Sequence, residues 1–266
     1  MTQGLRSEER LPVLFMAVGR QRVGKTVLLN TVIQYVRSKG VDLEIWNADT
    51  MNASHSLSLF HGDAKAPGSA RQEDVKRWLQ HRFEDMVEER YDAVLDVGGG
   101  DTPLARLIEE LPIAQSLEEE GIRVVLAHVL GPETADLDYL ANFLNEGVFA
   151  PEATLLVMNE GLVLTGRSPE MAFADVMKHP AFKDAMAKGA RVSWFPRLSC
   201  MSEVTDRGLT FQDAMNGVSK NGKGALSLFD KQRVRRWWGT EVNRFFEDDV
   251  PFLWLPGREA SAGQPA

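Results

Sequence analysis

The chain has 266 residues, 44% hydrophobic and 26% charged, which is ordinary globular composition and enough length to bury the core of one large α/β domain. A single cysteine, Cys200, excludes an internal disulfide, and five scattered histidines offer no zinc-ligand spacing. A formal net charge of −8 excludes a protein that coats nucleic acid over its whole surface and leaves DNA contact to a local basic patch or to a partner.

The first nine residues are polar and of mixed charge, and 1–10 is expected to lie loose. Residues 12–18 form an apolar run that predicts a strand; it is far too short to span a bilayer, and with no basic leader ahead of it the expectation is a cytoplasmic protein without a signal peptide. Helical spacing follows over 24–38 through Val27, Leu28, Thr31, Val32 and Tyr35. Residues 41–46 predict a second strand, 72–90 a polar amphipathic helix, and 91–97 a third strand that runs into the glycine triplet 98–100. A helix over 104–120, a strand over 122–130, a helix over 133–145 and strands over 153–158 and 191–195 complete the alternation. Near-continuous apolar strands separated by helices predict an α/β fold, a single doubly wound and mostly parallel sheet with helices on both faces, over 11–255. The domain includes a late amphipathic helix at about 225–246, and 256–266, rich in Gly, Ala, Ser and Pro, is expected to be a loose tail.

Between the first strand and first helix stands GRQRVGKT, residues 19–26, which fits the phosphate-binding pattern G-x-x-x-x-G-K-[ST] in the strand–loop–helix setting that pattern needs. Backbone N–H groups of Gly19, Gln21, Arg22, Val23, Gly24, Lys25, Thr26 and Val27 are expected to cradle phosphates, with Lys25 neutralising β/γ-phosphate charge and the Thr26 hydroxyl offered to Mg²⁺. Asp96, at the end of the hydrophobic run in YDAVLDVGGG, is the expected second magnesium ligand, and Gly98 and Gly99 are expected to approach the γ-phosphate and move when it leaves. ATP with Mg²⁺ is therefore the expected cofactor pair. Arg20 and Arg22 also supply cations at the loop, one of which could serve as an arginine finger.

With this loop, its flanking elements and the stretch EIWNADTMNASH after the second strand, the chain resembles the ParA/MinD group of deviant Walker-A ATPases, and within it the TraL-like ATPases of plasmid conjugal transfer. The resemblance spans about 11–217. It implies that Asp49 orients or activates the attacking water, and that Asn47 stands where some members carry an acid. It implies further that Asn159, ending the strand in ATLLVMNEG, reads the nucleobase, and that Pro196 lines it. In that group a lysine in the loop contacts the nucleotide of the opposite subunit of a sandwich dimer, and Arg20 occupies its place, keeping the charge and adding a planar fork. Gln21 and Arg22 replace two glycines of the group's motif, so their side chains must point away from the phosphates or crowd a partner.

The expected function is that of an ATP-hydrolysing molecular switch, a nucleotide-dependent homodimer that engages a partner protein or DNA in conjugal transfer or partitioning. The cations Lys231, Arg233, Arg235 and Arg236 on the late helix form the local basic face that could meet DNA or an acidic partner. Two other readings stay open: a P-loop small-molecule kinase or ATP-dependent ligase, and a nucleotide-binding scaffold without hydrolysis.

Overall fold

The computed structural model describes residues 10–49, 56–97, 102–146 and 151–258. Six parallel strands form its centre: β1 (Val13–Val18), β2 (Glu44–Asn47), β3 (Ala93–Asp96), β4 (Arg123–Leu130), β5 (Ala153–Asn159) and β6 (Arg191–Phe195), in the order β2-β3-β1-β4-β5-β6. Every residue of β1 is buried. Val13, Phe15 and Ala17 face the core beneath α1 (Lys25–Ser38), while Leu14, Met16 and Val18 face the one beneath α2 (Gln72–Glu89). A strand covered on both faces has no use for alternating polarity, which is why these segments read as unbroken apolar runs. The expected α/β architecture, one parallel sheet with helices on both sides, is the architecture observed.

The expected helix over 104–120 is two helices, α3 (Thr102–Glu110) and α4 (Ile113–Glu119). Pro112 lies at the break; it has no N–H to continue a helix and disfavours helical backbone at Leu111. Next come α5 (Asp136–Glu146) and, between β5 and β6, three short helices: α6 (Pro169–Ala172), α7 (Ala174–Lys178) and α8 (Pro180–Ala187). At one to two turns each, they are too short for periodicity to announce them. The helices α9 (Met201–Thr205), α10 (Phe211–Asn216) and α11 (Leu228–Arg236) then return along the α1 face.

The late helix is not uniformly α-helical as expected, because beyond α11 the chain widens into π-helical turns at Trp237–Val242 and Phe245–Asp249. The wider i→i+5 turn lets Trp237 and Val242 share the buried face, so the change of pitch keeps the bulky side chains in the core. Phe195, Phe211, Trp237 and Phe245 meet there edge-on or tilted, with centroids 4.9–6.2 Å apart.

Asp92, just before β3, ties three parts of the chain together. One carboxylate oxygen accepts from the Val13 N–H at 2.8 Å; the other accepts from the Gly257 N–H at 2.8 Å and pairs with Arg10 at 2.6 Å. Gly257 and Arg258 therefore dock, although they belong to the 256–266 stretch expected to lie loose, and Arg258 also reaches Tyr35 and Glu247. Residues 1–9 and 259–266 lie outside the described residues.

Asp92→Ala strands two backbone donors and Arg10, at about 1–3 kcal/mol for each buried group left unpaired. Thermal denaturation should show a Tm lower by about 10 °C, at roughly 2–4 °C per kcal/mol for a chain of this size. His128 in β4 gives a second test. Burial lowers its pKa to about 3, so it is neutral in the folded protein, whereas the unfolded group protonates near 6.5. Its contribution is fully present above about pH 6.5 and is lost as pH falls from there toward 3, at up to about 1.4 kcal/mol per pH unit. His61, lowered to about 4 by burial and by Arg37, acts in the same direction. The slope of Tm against pH between 6.5 and 5 should flatten in His128→Leu and persist in part through His61.

Candidate nucleotide-binding site

Strand direction decides where the polar groups collect. With all six strands parallel, their carboxyl ends share one edge of the sheet, and strand order reverses between β1 and β4, the position where open α/β sheets form a crevice. The 19–26 loop leaves β1 at this crevice. Gly19 (φ +139°) and Gly24 (φ +100°) are both in backbone conformations that side chains resist. Space forbids a side chain at either position too: a Cβ on Gly19 would lie 2.6 Å from the Val129 carbonyl oxygen, and one on Gly24 would lie 2.5 Å from the Asn159 amide nitrogen.

Gly24 caps α1, whose first turn carries no acid, so the positive end of the helix dipole is not neutralised from within. Lys25 is buried, and its Nζ donates to the carbonyls of Gly19 (3.0 Å) and Arg20 (2.8 Å), across the mouth of the loop. The Thr26 hydroxyl donates to Asp96 Oδ2 at 2.8 Å. Val27 packs on the core.

Asn47, Asp96 and Asn159 are the last residues of β2, β3 and β5. Asn47 and Asp96 are register partners. The Asn47 Nδ2 donates to Ser58 at 3.0 Å, while its buried Oδ1 has no hydrogen-bond partner among the described residues. Asp49 is half-buried and follows Ala48, whose N–H donates to the Asp96 carbonyl at 2.8 Å. Gly98 and Gly99 lie outside the described residues.

A hydrated Mg²⁺ fits this donor set. A hydroxyl and a carboxylate already in contact are hard oxygen ligands of the kind it takes one or two of, and the orphaned Asn47 Oδ1 beside Asp96 is an acceptor suited to a metal-bound water.

Asn159 serves the loop directly. Its Nδ2 donates to the Val23 carbonyl at 2.7 Å and its Oδ1 accepts from the Gly161 N–H at 2.9 Å, so the amide holds the loop from β5. Pro196 follows Phe195, the register partner of Asn159, and its carbonyl accepts from the Trp237 indole at 3.0 Å. The two therefore sit side by side at the carboxyl edge.

Gln21 and Arg22 are exposed; Arg22 (φ +66°) takes a left-handed conformation that glycine would take without the cost of about 1 kcal/mol. Arg20 bridges the crevice. Its guanidinium pairs with Asp136 at 3.0 Å and Glu133 at 3.2 Å, and Asp136, itself buried, also accepts from the Gly131 N–H after β4. Hydrogen bonds to Glu133 and then Asp136 push the arginine pKa above its ordinary value. Sequence reasoning missed Glu133, Asp136 and Ser58; Asp136 lies 116 positions from Arg20, and nothing local marks it as a partner.

No protein-family model and no curated protein matches the chain. Among solved structures it is similar to the MinD cell division protein of Aquifex aeolicus, at 17% identity over 86% of this chain and 97% of that one, with a TM-score of 0.45. It is similar also to chloroplast FtsY from Physcomitrella patens (20% identity, 73% of this chain and 62% of that one, TM-score 0.45). A third is the signal recognition particle 54 kDa protein of Aeropyrum pernix K1 in complex with GDP (16%, 90% and 49%, TM-score 0.43). The chain thus spans about three-fifths and about half of the last two. Its P-loop fold is read from its own sheet order and the 19–26 loop.

Gly24→Ala forces both a strained φ and a clash with Asn159, whereas Asn159→Ala removes the clashing group and the loop's tether. Chemical denaturation of the single and double variants should show a coupling of about 0.5–3 kcal/mol, with the double less destabilised than the sum. Strict additivity would mean that the amide and the loop are energetically independent.

Proposed function

We propose that the chain binds a nucleoside triphosphate with Mg²⁺ in the 19–26 loop and hydrolyses it slowly. The change of nucleotide state would make and release a complex with a partner protein or DNA. The nucleotide we assign is ATP, and the ParA/MinD-like, TraL-like resemblance makes plasmid conjugal transfer or partitioning of cargo the setting. The observation that carries the reading is the Thr26 hydroxyl on the Asp96 carboxylate at 2.8 Å, beside a buried lysine at the N-terminus of α1.

In this reading the loop amides and the end of α1 grip the phosphates, and Lys25 exchanges its two carbonyl partners for phosphate oxygens, a stronger charge-assisted contact. Thr26 and Asp96 would hold Mg²⁺, which when bound would supply positive charge to the phosphoryl oxygens. Asp49 orients the attacking water in line with the bond that breaks, and Asn159 and Pro196 flank the base. Arg20 is committed to Asp136 and Glu133 within its own chain, so a contact with a second subunit's nucleotide has to displace that pair.

A fluorescent ATP analogue titrated in Mg²⁺ buffer, alongside phosphate release, tests the assignment. Lys25→Ala should weaken binding about 10–100-fold, the equivalent of roughly 1.5–3 kcal/mol for a charged hydrogen bond. Asp49→Ala should retain binding and lose turnover, and Asp96→Asn should shrink the gain in affinity that Mg²⁺ gives. Wild-type protein that binds no nucleotide sinks the proposal, as does unchanged turnover in Lys25→Ala.

A further inference from the structure

Two surfaces outside the nucleotide site carry opposite charge, each with exposed apolar side chains among the charges. The first is a groove of about 420 Å³ between α2 and the α3–α4 corner. Phe83, Val87, Leu107, Leu111, Ile113 and Leu117 line it, and Glu84 and Glu120 stand on its walls. Leu111, at the corner that Pro112 creates, is 47% exposed. From 107 to 122 the chain carries five glutamates and no lysine or arginine. Among them Glu110 pairs with Lys76, and Glu119 and Glu120 are exposed.

The second surface is the start of α11. Leu228 and Phe229 are 63% and 71% exposed, in a helix otherwise anchored by buried Val234. Around them the sequence inverts the charge of the molecule: from 218 to 236 six lysines and arginines face a single carboxylate, Asp230, in a chain whose net charge is −8. Arg233 pairs with Asp230, while Arg235 donates to the Met215 carbonyl and Lys220 to that of Gly208, contacts that leave their charge in place. Arg236 is exposed.

We propose that these surfaces meet between two copies of the chain, the Leu228–Phe229 knob of one seating in the acid-walled groove of the next. A surface built only for a nucleic-acid backbone has no use for an exposed Leu–Phe pair, and an apolar groove walled by glutamates selects a knob set among cations. Both partners are on this chain, and they cannot meet within it: the groove belongs to the sheet face covered by α2–α4, and α11 packs on the opposite face. A patch on one face that fits a groove on the other makes a head-to-tail contact that repeats from copy to copy rather than closing on a two-fold axis. Neither surface includes a residue of the 19–26 loop, so the contact requires no nucleotide.

Sedimentation velocity of the full chain, nucleotide-free and in EDTA, tests this at chain concentrations up to about 1 mM, the range of weak encounters. The sedimentation coefficient should rise with concentration at about 0.05 M salt and fall back at about 0.5 M, where charge interactions are screened over a few ångströms. Phe229→Glu and Leu111→Glu should each weaken association at least 10-fold with unchanged Tm, since both side chains are exposed. An equimolar mixture of the two variants should recover association and stop at the dimer, because one intact knob meets one intact groove and neither end can extend. A chain that stays monomeric throughout overturns the proposal, as does association unchanged in either variant. Association that appears only with an ATP analogue and vanishes in Lys25→Ala would also overturn it, assigning the contact to the nucleotide-driven dimer. Retention on duplex DNA or anionic vesicles that Phe229→Glu abolishes, without self-association, would overturn it by giving the knob to those ligands.

Discussion

A sheet buried on both faces admits polar side chains at little cost only where its strands end, and the candidate site follows from that constraint. Inside the sheet an unpaired polar group costs several kcal/mol; at the carboxyl edge it meets loops, helix ends and ligands. Asn47, Asp96 and Asn159 all occupy the last position of their strands. Because the strands are parallel, those last positions converge on one edge, where the loop from β1 also emerges. His128 and Ser193 depart from this pattern: both are buried within their strands, β4 and β6, and His128 is held neutral there.

The loop has paid for its unusual contents locally. Arg22 occupies a left-handed conformation that glycine takes freely, and Arg20, rather than facing the loop's interior, is anchored to the turn after β4 through buried Asp136. That anchor and the Asn159 amide both hold the loop, one from the β4–α5 turn and the other from the end of β5, on the same side of β1 in the sheet. A loop held in this way is preorganised, which favours ligand binding by reducing the ordering that binding must impose. The same anchoring ties Arg20 to its own chain, so it opposes any role for that residue across a subunit boundary.

Charge is divided between the two faces of the sheet. The α3–α4 side is rich in glutamate and the α11 side in lysine and arginine, each with apolar side chains among the charges. A net charge of −8 hides this division. Fields of opposite sign on opposite faces orient approaching macromolecules and reward an arrangement in which unlike faces meet.

The sequence by itself determined the architecture and the phosphate loop, because both are written in local pattern: apolar runs between amphipathic helices, and a fixed spacing of glycine, lysine and threonine. Asp96 was legible for the same reason, as the polar residue that ends an apolar run. The break at Pro112 was legible in principle, through the missing N–H, yet helical periodicity on both sides masked it. The widening of the late helix after Arg236 was not legible, since the demand to bury Trp237 and Val242 together comes from the core they enter. Only the tertiary structure could pair Arg20 with Asp136, Asn159 with the Val23 carbonyl or Asp92 with the N–H of Gly257, because these partners stand 116, 136 and 165 positions apart. A contact between residues that distant is set by strand order and crossover geometry, and neither leaves a trace in the residues on either side.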